Sequence, residues 1–345
     1  MWSRQSRILS RYKQMPVVHF LNVKEGDCSI IEHTSGHISV IDVCNARKET
    51  PESKIVESIV KNIMTKAAGS GNLNQKAYPV NPISYMKERS LTSVFRFVAT
   101  HPDMDHIDGI KDFFEEFNPT NFYDIENEKE IEFNDKSPYL EEDWKFYKNL
   151  RDTDPDTDPR RLTLFSGDSG IYRTKNWDGN PPGDAFYVLA PTSEMVREAK
   201  ELEDYNDCSY VILYRSPGGK ILFGGDSHDG TWEHLLKNHE NSIKNVDLLI
   251  APHHGRKSDR DYSFLDVVNP KMTFFGNARS EHLAYSAWSS RNLPYITNNQ
   301  ADCMIVNAND EHMPIYVTNE TFAKQRNPKS QYSSRFKGWF LQNIK

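Results

Sequence analysis

The run Val94-Phe-Arg-Phe-Val-Ala-Thr100 reads as a buried strand, and it stops at His101-Pro-Asp-Met-Asp-His106. Just beyond, Ile107, Ile110, Phe113, Phe114 and Phe117 recur at helical spacing. The segment between is therefore pinned at a strand-to-helix junction, where a rigid scaffold can hold side chains in a fixed geometry. It brings His101, Asp103, Asp105 and His106 within six residues. Imidazole nitrogens mixed with carboxylate oxygens suit zinc, manganese or iron, and so dense a carboxylate cluster is costly to assemble without a neutralising cation. The junction predicts a metal site on an α/β scaffold.

Two further strand ends carry the same chemistry. Ile221-Leu-Phe-Gly-Gly-Asp226 is a buried strand running into two glycines and a carboxylate. Glycine lets the backbone pass close to an ion, and one Asp can bridge two metals. Val246-Asp-Leu-Leu-Ile-Ala251 ends at Pro252-His-His-Gly255. Singly, a Gly-Asp is commonly a turn and a His pair a surface feature; their order and context give them weight. An opening β-meander is expected over residues 17–42, and further strands over 186–190, 210–214 and 220–223. Residues 52–66 place Ile55, Val56, Ile59, Val60, Ile63 and Met64 on one helical face. No repeat of about 20 to 50 residues is evident.

Together, His101-Pro-Asp-Met-Asp-His106 followed by Gly109, Gly225-Asp226 and Pro252-His-His-Gly255 resemble the metallo-β-lactamase superfamily. The branch they are most similar to contains the soluble hydrolase domain of the ComEC competence proteins and the pneumococcal-type phosphorylcholine esterases. Phe20-Leu-Asn-Val-Lys-Glu-Gly-Asp27, Val40-Ile-Asp42 and Asn206-Asp-Cys-Ser209 are also like that branch, and the likeness spans residues 17–310 outside an acidic insertion. It implies an αββα sandwich, with two mixed sheets between helices, and a site for two divalent ions, zinc or manganese.

Carried over by position, the resemblance gives His101 and Asp103 to the first metal and Asp105 and His106 to the second, with Asp226 bridging. His253 or His254 would complete the second site, His254 being favoured. Asp105, His106 and Asp226 are the implied catalytic residues, Asp105 orienting a metal-activated hydroxide as well as binding metal. Asp103 stands where most of the superfamily has His, which hardens the first site towards manganese or weakens its hold on zinc. The superfamily's lone histidine before the bridging Asp has no counterpart; Asn206 or Asp207 is nearest and would substitute as an oxygen ligand. His282 lies where some relatives place another active-site histidine. Asp27 and Asp42 suit residues that orient the ligands, or equally turn caps.

Composition bounds the rest. A chain of 345 residues with 37% apolar content can close a sizeable core, and one body with insertions is the expected organisation. Residues 1–16 read as a basic N-terminal extension, 17–320 as the hydrolase-like domain, and 321–345 as a basic aromatic C-terminal segment. Residues 118–185 are acidic, Pro-rich and weakly periodic, and read as an insertion or lid. Cys28, Cys44, Cys208 and Cys303 form no Cys-x-x-Cys pair and are expected to be buried thiols. No run reaches the roughly 20 apolar residues of a membrane span, and no early apolar segment looks like a secretory signal. A cytoplasmic protein without a membrane partner is expected.

A net charge of −7 argues against indiscriminate nucleic-acid binding by the whole surface, but the charge is uneven. Between Asp103 and Asp158 nineteen acids meet six bases, whereas residues 321–345 hold six bases and no acid. Arg335 and Lys337 in that segment, interleaved with Phe336, Trp339 and Phe340, are candidate nucleic-acid contacts, as are Arg256, Lys257 and Arg260 beside the histidine pair. The alternative for the C-terminal segment is a packed element whose aromatics face the core. With the resemblance, these features point to a metal-dependent hydrolase, a phosphodiesterase or nuclease acting on nucleic acid or a nucleotide. A hydrolase of another ester (phosphorylcholine, lactone or thioester) and a metal-poor binding or scaffold member of the fold are the alternatives.

Overall fold

The computed structural model describes residues 14–49, 73–153, 157–176, 178–257, 260–278 and 282–345. The helix expected at residues 52–66 and nearly all of the basic N-terminal extension lie outside them. The strands are β1 Val17–Phe20, β2 Ser29–Glu32, β3 Ile38–Ile41, β4 Arg96–Val98, β5 Asn121–Tyr123, β6 Arg160–Leu162, β7 Phe186–Ala190, β8 Val211–Arg215, β9 Lys220–Phe223, β10 Leu248–Ile250, β11 Met272–Phe275, β12 Tyr295–Thr297, β13 Met304–Asn307, β14 Pro314–Val317, β15 Tyr332–Ser333 and β16 Gly338–Asn343. They form one sheet in the order β15-β16-β14-β13-β1-β2-β3-β4-β5-β6 and another in the order β12-β11-β10-β9-β8-β7.

Successive side chains of a strand point to opposite faces, so an apolar strand without polar alternation must be covered on both. That is what these strands achieve. Val18, Phe20, Ile31, Ile41, Val98 and Tyr123 of the first sheet meet Val188, Ile212, Tyr214, Ile221, Phe223, Leu248 and Ile250 of the second in one inter-sheet core. Their alternates point outwards. Ile30, Val40, Phe97 and Phe122 pack under the helices Pro82–Glu88, Ile110–Phe117 and Glu141–Asp152. Val211, Leu213, Leu222 and Leu249 pack under Asp229–Asn238, Phe264–Val268 and Tyr285–Ser289. The result is the expected αββα sandwich of two mixed sheets between helices.

Both sheets share one plan. Each begins as an antiparallel meander, β1-β2-β3 or β7-β8-β9, and continues with parallel strands, β4-β5-β6 or β10-β11-β12. The carboxyl ends of parallel strands are where α/β folds collect ligands, because the loops leaving them converge there. Here β3, β4, β9 and β10 run out at Asp42, His101, Asp226 and the His253-His254 pair.

One sequence expectation is corrected in part, and of the two readings of the C-terminal segment the packed one is found. Part of the range 118–185, expected as an insertion or lid, is built into the sandwich. Its strands β5 and β6 extend the first sheet, and Trp144 and Tyr147 of the helix Glu141–Asp152 are buried beneath it. The acids that masked this element occupy the helix's outer face and first turn, where they also favour the helix dipole. The C-terminal segment is likewise a packed element: β16 pairs with β14, Phe336 stacks on Tyr316, and Phe322 is buried. All four cysteines are buried and none is in a disulfide.

At the end of β4 remote from His101, Arg96 is fully buried and joins a polar cluster. Its guanidinium donates to Ser39 Oγ (2.8 Å) and Asp184 Oδ2 (2.6 Å), and His33 Nε2 lies 2.7 Å from Ser39 Oγ. Burial, with Arg96 adding to it, pushes the His33 imidazole down to about 3. The unfolded chain therefore binds this proton and the folded chain does not across the interval from about pH 6.5 to 3. Stability contributed here is full above the unfolded value and is lost as pH falls through that window. Urea unfolding of the chelator-treated protein should lose about 3 kcal/mol more between pH 7 and pH 4 than the same titration of His33→Gln. Parallel profiles for the two proteins would refute the assignment.

Candidate metal centre

Asp226 stands at the middle of the strand ends. Its Oδ1 is 3.3 Å from His106 Nε2, and its Oδ2 is 3.5 Å from His254 Nε2, 3.6 Å from His253 Nε2 and 3.9 Å from His101 Nε2. Asp105 Oδ2 closes the other side, 3.6 Å from His254 Nε2 and 4.0 Å from His106 Nε2. Three groups of donor atoms converge closely enough to share an ion: His101, His106 and Asp226; Asp105, His106 and His254; and Asp27, Asp226 and His254. Among the described residues these His and Asp side chains, buried except for the part-exposed Asp105, fit divalent metal binding.

The hydrogen bonds behind the imidazoles decide which nitrogen faces the centre. Thr100 donates its backbone N–H to Asp42 Oδ1 and its hydroxyl to Asp42 Oδ2, both at 2.7 Å. Asp42 Oδ2 also accepts from His106 Nδ1 at 2.8 Å, and Thr100 Oγ1 can accept from His101 Nδ1 at 3.1 Å. His254 Nδ1 lies 2.9 Å from Asp27 Oδ1. With the Nδ1 protons of His101 and His106 directed this way, and Nδ1 of His254 facing the Asp27 carboxylate without a well-formed hydrogen bond, Nε2 presents its lone pair inwards, the arrangement that orients ligating histidines. The Nε2 atoms of His101, His106 and His254 are buried and have no hydrogen-bond partner. Orphaned donors and acceptors of this kind are expensive unless something else satisfies them.

Electrostatics tell the same story. Burial would raise the Asp226 carboxyl, but His254, His106 and His101 outweigh it and hold the group well below the usual range. Burial likewise works against charge on Asp105, yet His106 and His254 bring it down to about 2. His106 and His254 are driven up despite burial, the first by Asp226, Asp42 and Asp105 and the second by Asp226, Asp27 and Asp105. The pocket is built to contain positive charge, and in its absence recruits protons.

The backbone is bent to make these approaches. Asp42, His253 and His254 all adopt left-handed conformations, at φ of 57°, 51° and 56°. Such residues are rare outside glycine and persist only where the surroundings enforce them. Gly255 follows at φ 80°, and a Cβ there would come within 2.8 Å of the Phe275 ring, so glycine is required to finish the turn.

Other expected residues fall elsewhere. Asp207 is not an oxygen ligand: its carboxylate accepts the backbone N–H groups of His228, Gly230 and Thr231, capping the helix Asp229–Asn238. Asn206 lies in the short turn before it, its Oδ1 buried without a hydrogen bond. Arg260 is not a surface contact but a buried side chain, donating to Ser227 O (2.7 Å) and His253 Nδ1 (3.1 Å). Arg335 and Lys337 line a different cavity, where Lys337 Nζ donates to Glu88 O.

Arg256 and His282 share a cleft with Asp105 and His254. With Glu25, Tyr139, Asn277 and Ala278 these residues line a volume of about 380 Å³. Lys257 is exposed beside them, its backbone N–H donating to His282 O. Sequence reading missed Lys129, which forms an ion pair with Asp103, as well as Tyr139 and His228. A lone base within Glu126-Asn-Glu-Lys-Glu-Ile-Glu132 was a usable signal for the first; Tyr139 left none.

No family profile matches this chain, and no curated protein sequence does. Among solved structures, it is similar to Igni18, a metallo hydrolase from Ignicoccus hospitalis, with TM-score 0.45 and 10% identity over 84% of this chain and 98% of the other. It is also similar to Tm1679, a metal-dependent hydrolase of the β-lactamase superfamily, with TM-score 0.38 and 10% identity over 82% and 95% of the two chains. A diphosphatase of the PhnP family gives TM-score 0.35 and 11% identity over 76% and 86%. Identities this low leave substrate choice to the chain's own residues.

Proposed function

We propose that this chain is a metal-dependent hydrolase of the metallo-β-lactamase type, acting in the cytoplasm as a phosphodiesterase on nucleic acid or a nucleotide. The observation that carries the reading is the convergence of three buried, unpartnered Nε2 atoms on two carboxylates at the floor of an open cleft. His106, His254, Asp105 and Asp226 are the residues that would hold a divalent ion, with His101 beside them. When bound, such an ion supplies Lewis acidity towards a phosphoryl oxygen and lets water ionise nearer neutral pH.

The remaining steps belong to side chains. Asp105, ionised and part-exposed at the cleft floor, accepts a hydrogen bond from the attacking water and aims it. Arg256 on the wall suits a phosphate oxygen, since a guanidinium matches that geometry with paired donors. Lys257, exposed at the next position in the chain, offers a cation to a further phosphate of a polymer. Tyr139 keeps its phenolic proton, because burial and then the nearby Asp105 push it well above the ordinary range. It can therefore donate to an oxygen that gains charge as the ester bond breaks.

Labelled single- and double-stranded DNA and RNA, together with a small phosphodiester, are the substrates to test with manganese or zinc. Cleavage should disappear on chelation and return with the metal. Arg256→Ala should raise KM about tenfold with little change in kcat, the signature of a lost binding contact. Cleavage that persists unaltered in chelator would sink the reading, and turnover confined to non-phosphate esters would replace its substrate class.

A further inference from the structure

We propose that the centre holds a single divalent ion, among Asp105, His106, His254 and Asp226, and that Lys129 and Arg260 keep a second ion from the neighbouring position beside His101. The inference rests on the metal-centre reading and adds its stoichiometry.

Asp103, His253 and Asp207, three further donors on the His101 side, are already engaged by other groups. Asp103 turns Oδ2 towards His101 Nε2, 3.8 Å away, while its Oδ1 is paired with the Lys129 ammonium. A fixed cation on the far oxygen draws charge from the donor and repels an incoming dication. His253 is disqualified by its tautomer. Arg260 can only donate, so His253 Nδ1 must accept at 3.1 Å, and a neutral ring then carries its proton on Nε2, the atom facing Asp226. Asp207 is spent on backbone N–H groups.

His101 is then left with His106 and Asp226, both already shared with the other position. One private ligand falls short of the three or four that zinc sites use. His228 is the remaining imidazole on this side. Its Nε2 is buried without a hydrogen bond and its ring is 5.4 Å from that of His253, yet it joins none of the converging donor groups among the described residues. The chain has thus placed two permanent cations where a second ion would need carboxylate and imidazole donors.

The test is calorimetric titration of the metal-stripped full-length chain with zinc, checked by elemental analysis after dialysis. One tightly bound ion per chain is expected, lost in His254→Ala. Lys129→Met, and the pair Lys129→Met with Arg260→Met, should take up a second ion, its affinity rising about tenfold or more over the native chain. Thermal unfolding verifies that each variant is folded, and Lys129→Met alone carries the test where the double variant is not. Two ions of similar affinity in the native chain, one of them lost in Asp103→Ala or His228→Ala, would overturn the inference. So would a count that stays at one in the folded Lys129 variants. A native chain that binds no zinc overturns the metal-centre reading as well, whereas a count of two leaves that reading standing.

Discussion

Asp105→Ala is expected to lower phosphodiester cleavage on the order of a thousandfold while leaving the fold intact, because both its contributions vanish together. The carboxylate closes the donor group formed with His106 and His254, and it is the part-exposed acid of that group, so the solvent-facing side of the centre loses its anion. Asp226 is already surrounded by imidazoles, and Asp27 faces the Nδ1 side of His254. Asp105→Asn separates the two roles, since the amide keeps the shape and removes the charge. Asp42→Asn gives a scale, because it touches the centre only from behind, through His106 Nδ1 and by way of Thr100 through His101 Nδ1; a loss of about 10- to 100-fold in metal affinity or activity is expected there. Rates are to be measured beside bound metal. An Asp105→Ala protein that cleaves at the native rate would show that the chemistry lies elsewhere.

Arg96→Met is expected to cost about 3–5 kcal/mol of folding stability without touching the metal centre, since it leaves the buried Asp184 carboxylate short of its cation. Arg96 and Asp184 are both essentially inaccessible, and their 2.6 Å contact ties β4 of the first sheet to the chain just before β7 of the second. Ser35 and His37 also hold Asp184, at 2.6 and 2.8 Å, so His37 supplies partial compensation when protonated. The Asp184 carboxyl is held below its ordinary range, burial opposing and His37 and Arg96 prevailing. Its stabilisation is therefore present above the unfolded pKa and is lost as pH falls towards the folded value. Combining Arg96→Met with Asp184→Leu should recover most of the loss, because an apolar pair leaves no charge stranded. Urea unfolding of the three variants decides the matter: equal losses in the single and double variants would mean that packing, and not the ion pair, sets the cost.

The sequence by itself determined the parts of this protein whose signal is local. Strand ends at His101, Asp226 and His253-His254 were legible because a buried strand writes an unbroken apolar run and a ligand cluster interrupts it. These motifs carry the resemblance that implies the sandwich and the assignment of the donor residues. Elements whose code was mixed were not legible: the helix Glu141–Asp152 shows few apolar positions and many acids, so its buried Trp144 and Tyr147 were hidden within a polar stretch. Only the tertiary structure decided who partners whom across long separations. Lys129 reaches Asp103, Arg260 fixes the His253 tautomer, Asp207 turns away to cap a helix, and β13 closes on β1 from the far end of the chain. Periodicity records that a residue is buried, but the identity of its neighbour is set by how sheets and helices pack once the chain has closed, and that pairing is what fixes charge, tautomer and ligand availability at the centre.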